Sequence, residues 1–224
     1  MTTSTESGAA EYAVPDGPAP APGRSRPGLL WPIVALVLVL GLLVGGAGTY
    51  LALRPHTPGD DSAEAGFLRD MSTHHGQAVA MAMIAHANST NSEIVTLAGD
   101  IGLTQQAQIG YMQAWLRDWN LSPTGSQPAM AWMPNSAGSV VNGLMPGMAT
   151  PEQMAKLQAA TGKELDVQFL TLMRAHHLGG IHMAQEVLKL SDDPDVTWLA
   201  QTMVQNQQGE INVIDDYLKK LGAS

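Results

Sequence analysis

The sequence predicts an all-α protein: a four-helix bundle of two duplicated helical hairpins, preceded by one transmembrane helix. Three observations carry that prediction. One motif is written twice, as Phe67-Leu68-Arg69-Asp70-Met71-Ser72-Thr73-His74-His75 on to Met81-Ala82, and as Phe169-Leu170-Thr171-Leu172-Met173-Arg174-Ala175-His176-His177 on to Met183-Ala184, at a constant offset of 102 residues. After each copy, apolar residues recur three and four apart, in Ile94, Leu97, Ile101, Ile109, Met112, Leu116 and in Val196, Leu199, Met203, Ile211, Ile214, Leu218, which is the period of a helix with one buried face. Finally, residues 29–53 contain no charged side chain.

Residues 1–28 hold five prolines and four glycines without apolar periodicity, and are expected to form a disordered cytoplasmic tail. The 25 residues from Leu29 to Leu53 would span about 37 Å as a helix, against a hydrocarbon core of roughly 30 Å. They are expected to cross a membrane once. A cleaved signal peptide is the competing reading, since Gly46-Ala47-Gly48 offers small residues, but its apolar stretch would normally run about 7 to 15 residues. Arg24 and Arg26 precede the span, and Arg54 is followed by Asp60, Asp61 and Glu64, so the positive-inside rule places the C-terminal domain outside the cytoplasm. A juxtamembrane linker is expected over 54–61.

From Arg54 onward there are 17 acidic and 9 basic residues, a formal net charge of −8, with no Lys/Arg-rich run. That balance argues against nucleic acid as a partner. The chain has no cysteine, so disulfides and thiolate metal sites are excluded and packing must hold the fold. Roughly 165 residues follow the span, enough for one domain with its own core.

The repeated domain is expected over 62–221. Asp61 with Glu64 reads as a capping box opening a helix to about His86. The cluster Asn88-Ser89-Thr90-Asn91-Ser92 reads as a turn before a helix to about Trp119. A long crossover is expected over 120–163, irregular through Ala149, with Pro, Gly, Ser and Asn interleaved among Met130, Met133, Met145 and Met148. Inside it, Thr150-Pro151-Glu152-Gln153 supplies an N-cap, a first-turn proline and a reciprocal Gln for a short helix to about 160. The second motif helix follows over about 164–190, and Asp193-Pro194 opens a last helix ending near Leu221.

These residues resemble a known family. Phe-Leu-x-x-Met-x-x-His-His, and the continuous run from Met145-Pro146-Gly147-Met148-Ala149-Thr150-Pro151-Glu152-Gln153 through His176-His177, are similar to the bacterial domain-of-unknown-function family 305, whose members are ferritin-like in fold. The resemblance implies an exported, often membrane-anchored helical bundle, with some members linked to copper binding or tolerance. The sequence departs from the family pattern at Ala80 and His182, where an acidic residue is common, and at Gln108, where the second repeat keeps Glu210.

On helices, Met71, His74 or His75 and Met81 project from one stripe, as do Met173, His176 or His177 and Met183. Facing hairpins would bring up to four imidazoles and four thioethers into one region. Di-iron sites of ferritin-like bundles need Glu-x-x-His, yet the residue three before His74 is Met71 and three before His176 is Met173. Soft sulfur in place of hard oxygen points to a copper ion, Cu(I) in particular, with zinc held by histidines as the next possibility. Gln105 and Gln207 lie on the apolar stripes and are candidate hydrogen-bond partners behind the ligands. Met145 and Met148 flank a Pro-Gly turn and are a candidate lid. His56, His86 and His182 have weaker claims: His86 sits near a helix end, His182 lies roughly 120° from His176 at about 100° per residue, and His56 is in the juxtamembrane linker.

The competing reading is structural. Methionine is a common core filler, and buried His pairs can simply bond backbone carbonyls or polar partners. No nucleophile elbow, phosphate loop or carboxylate dyad is present, so catalysis would rest on a redox-active metal alone. The sequence therefore points to a membrane-anchored extracytoplasmic metal-binding protein, most simply for copper handling or resistance. The alternative is a structural or protein-interaction module of the envelope without metal. No feature names a protein partner.

Overall fold

A computed structural model describes residues 1–2, 17, 28, 30–53 and 57–223. Nearly all of the tail expected over 1–28, and His56 in the expected linker, lie outside the described residues. The chain divides into two units, Met1–Pro55 and His56–Ser224. Helix α1, Leu30–Leu53, lies in the first. Its stretch Leu30–Leu51 is long and apolar enough to cross a bilayer.

The second unit contains α2 (Ala63–Asn88), α3 (Ser92–Asp118), α4 (Pro151–Ala159), α5 (Gly162–Val187) and α6 (Pro194–Lys220). No strand occurs among the described residues, only an isolated bridge between Val141 and Leu144. Side-chain caps open four of these five helices. Asn91 accepts from Glu93 N, Asp193 accepts from Asp195 N and Val196 N, and Thr150 and Gln153 form the reciprocal capping box that the sequence predicts. At α2 the cap is Ser62, which accepts from Ala65 N at 3.1 Å, one residue after the expected Asp61. Asp61 accepts instead from Gln127 Nε2 of the crossover.

The helices α2 and α3 pair through the short turn at 89–91, and α5 and α6 through 188–193. The two hairpins meet where α2 packs on α5, and α4 touches both of these helices. Two apolar clusters fill the interior. One contains Phe67, Met71, Met112, Met183 and Met203, and the other Met81, Ile94, Ile101, Phe169 and Met173. Met71, early in α2, shares a cluster with Met183, late in α5, while Met81 shares the other with Met173, so α2 and α5 run antiparallel. The histidines fall between the two clusters along both helices.

The crossover differs from the loosely ordered loop that its composition suggests. Met130, Met133 and Met145 are buried at 1, 5 and 4 % exposure, all in the first cluster. Trp132 sets its ring edge on Phe67 at 5.7 Å and donates from Nε1 to Asp70 Oδ2 at 2.8 Å. Gly66 makes room for it, since a Cβ there would lie 2.6 Å from the indole. Buried Arg69 donates to Ser122 O and to Asp60, tying the start of the crossover and the residues before α2 to that helix.

Candidate functional site

The four motif histidines sit on the central helices, each no more than 1 % exposed. His74 of α2 and His176 of α5 stack across the hairpin interface, with ring centroids 3.8 Å apart and planes 35° apart. The outer two rings turn to their own hairpins. His75 Nε2 bonds Gln108 Oε1 of α3 at 2.8 Å, and His177 Nε2 bonds Glu210 Oε2 of α6. Both pairs are separated by 33 residues, so the contact recurs at the offset of the motif.

The bonds fix the tautomers. A carbonyl oxygen only accepts, so His74 Nε2 carries its proton and donates to Pro146 O at 3.0 Å, and His176 Nε2 does the same to His74 O at 3.0 Å. Burial pushes the His74 imidazole down to about 4 and that of His75 to about 3, and holds His176 well below its ordinary value. Rings that are neutral and protonated at Nε2 carry a lone pair on Nδ1. Nδ1 of His74, His75 and His177 is buried and has no hydrogen-bond partner among the described residues. Leaving one acceptor buried in this way costs about 1–3 kcal/mol.

A strap from the crossover closes the layer. Gln77 grips Ala149 with two bonds, from its Nε2 to Ala149 O at 2.9 Å and from Ala149 N to its Oε1 at 2.7 Å. This seats Pro146 O over the helix, and a Cβ at Gly179 would lie only 1.9 Å from that oxygen. Gly147, at φ +80°, also has no room for a side chain, because its Cβ would meet Ala175 O at 2.3 Å. The Pro-Gly turn and the Gly179 approach are thus one device that delivers a carbonyl to His74.

The structure brings His74 and His176 together and places His75 and His177 beside them. The methionines do not all join them in one cluster: Met71 and Met183 lie on one side, Met81 and Met173 on the other. Met145 is buried and Met148 half-buried against the first cluster, where they cover the bundle as apolar contacts. Gln105 and Gln207 are buried as expected, but they are not the partners of the rings. Neither amide atom of Gln105, nor Gln207 Oε1, has a hydrogen-bond partner among the described residues. The partners are Gln108 and Glu210, three residues further along the same helices. The signal available in the sequence was the pairing of Gln108 with Glu210 at the motif offset. His86 donates from Nδ1 to Val95 O at the bundle surface, and His182 is exposed.

A ring that donates one N–H to an oxygen while the other nitrogen holds a lone pair is the arrangement that metal-ligating histidines adopt. The donor set here, neutral imidazole and thioether without thiolate, fits a soft cation. Among the described residues no three His, Cys, Asp or Glu side chains are grouped to hold an ion by themselves. Thioether sulfur is the soft donor that the neighbouring apolar clusters offer to a set built on the stacked pair.

Comparison with known proteins gives a consistent result. The profile of the family "Domain of unknown function (DUF305)" matches residues 64–218. The fold is similar to a DUF305 protein from Streptomyces coelicolor, at 42 % identity and TM-score 0.68, covering 74 % of this chain and 98 % of that one. It is also similar to a DUF305 fragment from Deinococcus radiodurans, at 30 % identity and TM-score 0.60, covering 74 and 99 %. CopM in its Cu(I)-bound form shares the fold at 21 % identity and TM-score 0.53, covering 71 and 96 %. No curated protein sequence matches. With the profile spanning the whole histidine-bearing bundle, the chain belongs to the DUF305 family.

Proposed function

We propose that this is a membrane-anchored, extracytoplasmic metal-binding protein, with a copper ion as its cargo and copper handling or resistance as its role. The observation that supports the reading best is the set of buried Nδ1 atoms without a hydrogen-bond partner among the described residues, each on a ring whose Nε2 is already engaged. His74, His75, His176 and His177 would hold the ion, with sulfur drawn from Met71 and Met183 or from Met81 and Met173. Met145 and Met148 would act as the lid, moving with the strap that carries them. Cu(I) accepts imidazole and thioether together, without the thiolates this chain lacks. The same fold in CopM has been obtained with Cu(I), Cu(II) and Ag bound. Helix α1 would be the anchor, with the positive-inside rule setting the bundle outside the cytoplasm.

One observation favours a second reading. Each of the four rings already ties two elements together through Nε2, so the histidines could serve as fasteners in an envelope module. A Cu(I) competition titration on the full-length protein in detergent separates the two. The wild type is expected to bind, and a His74→Asn, His176→Asn variant of unchanged helicity to lose affinity at least a hundredfold. Absent binding, or binding unchanged in the variant, removes the metal.

A further inference from the structure

The two hairpins present their outer histidines in matching fashion, but with different chemistry behind them. His75 Nε2–H meets the neutral amide of Gln108, which is 6 % exposed. His177 Nε2–H meets the carboxylate of Glu210, whose side chain is 20 % exposed. Glu210 reaches solvent because α3 and α6, which touch at Glu93–Lys220 and at Tyr111–Trp198, leave a groove that it lines with Glu93 and Asp100. An acid at 108 would be a charge taken fully out of water, whereas at 210 the groove keeps it hydrated. The difference between the two positions therefore follows from solvent access.

We infer that Glu210 makes the two halves of the site unequal, setting His177 as the anchoring imidazole for a soft cation and supplying the negative charge that offsets the cation's own. This rests on the copper reading and names the residue that positions its strongest ligand. A carboxylate draws the Nε2 proton more strongly than an amide does, so electron density rises at Nδ1, the nitrogen that is buried without a hydrogen-bond partner among the described residues. Neutral imidazole and thioether donors leave a bound monovalent cation uncompensated in a low-dielectric interior, and Glu210 is the acid in hydrogen-bond contact with the layer. Glu93 and Asp100 add to the attraction at the groove mouth, although Glu93 also pairs with Lys220 at 3.2 Å.

Glu210→Gln is the test, since Gln108 shows that this site accommodates an amide without losing the ring contact. In metal-free protein, the Nε2–H resonance of His177 is expected well downfield of that of His75, and to move to the His75 position in E210Q while His75 stays put. In Cu(I) competition titrations on the full-length protein, E210Q is expected to bind about tenfold or more weakly at unchanged helicity. A purely structural Glu210 would leave Cu(I) affinity intact. Wild-type binding with an unaffected E210Q overturns this inference alone, and no binding by the wild type overturns the copper reading together with it.

Discussion

His74, His75 and His176 are buried as neutral rings, and that choice limits the protein in acid. Their folded-state values lie below the unfolded value near 6.5, at about 4 for His74 and about 3 for His75. Between those limits the unfolded chain binds protons that the native state refuses, so stability falls as pH drops below 6.5 and levels off only once the folded values are reached. Each ring contributes up to about 1.4 kcal/mol per pH unit. Asp70, whose carboxyl is raised by burial, holds its proton more readily folded than unfolded and offsets part of the loss at the acid end. Urea midpoints of metal-free protein are expected to fall steadily from pH 7 to pH 5, and a flat profile would contradict the neutral buried rings. The histidines themselves were legible in the sequence because they are written twice on an apolar stripe. Their partners were not, because positions 105 and 108 both turn inward on α3, and only the tilt between helices decides which one reaches the ring.

The strap is an element held by two glycines that bear no side chain because none fits. Gly179→Ala would drive a Cβ into Pro146 O, and Gly147→Ala into Ala175 O, both against backbone that cannot rotate away. Each substitution is expected to cost about 1–3 kcal/mol or more, read as a lowered urea midpoint, whereas Gly76→Ala, with open space around it, should be neutral or slightly stabilising. Equal effects at all three sites would mean that the strap does not depend on the close approach. Composition could not reveal this. A stretch of Pro, Gly, Ser and Asn reads as loop, and what docks it are contacts far away in the chain, such as Trp132 to Asp70 and Gln77 to Ala149, separated by 62 and 72 residues. The helices were readable, since caps and period are local signals. Where two cap formers stand side by side, as at Asp61 and Ser62, the sequence does not choose between them.

At the scale of the whole molecule, α1 is long and apolar enough to cross a bilayer. Its apolar length favours an anchor that stays attached, so N-terminal sequencing of the protein purified from membranes is expected to show residues upstream of Leu30, and a chain starting after Gly48 in the medium would show cleavage. The bundle itself consists of two hairpins that each close through a short turn and meet chiefly along α2 and α5. Nothing in that interface distinguishes a hairpin of the same chain from the identical hairpin of another. The crossover tips the choice by keeping the local concentration of the in-chain partner high, and the strap strengthens its hold by fastening to α2 at His74 and Gln77 and lying on α5 at Gly179. A chain whose strap no longer seats is thereby open to reciprocal exchange, with His74 of one copy stacking on His176 of the next.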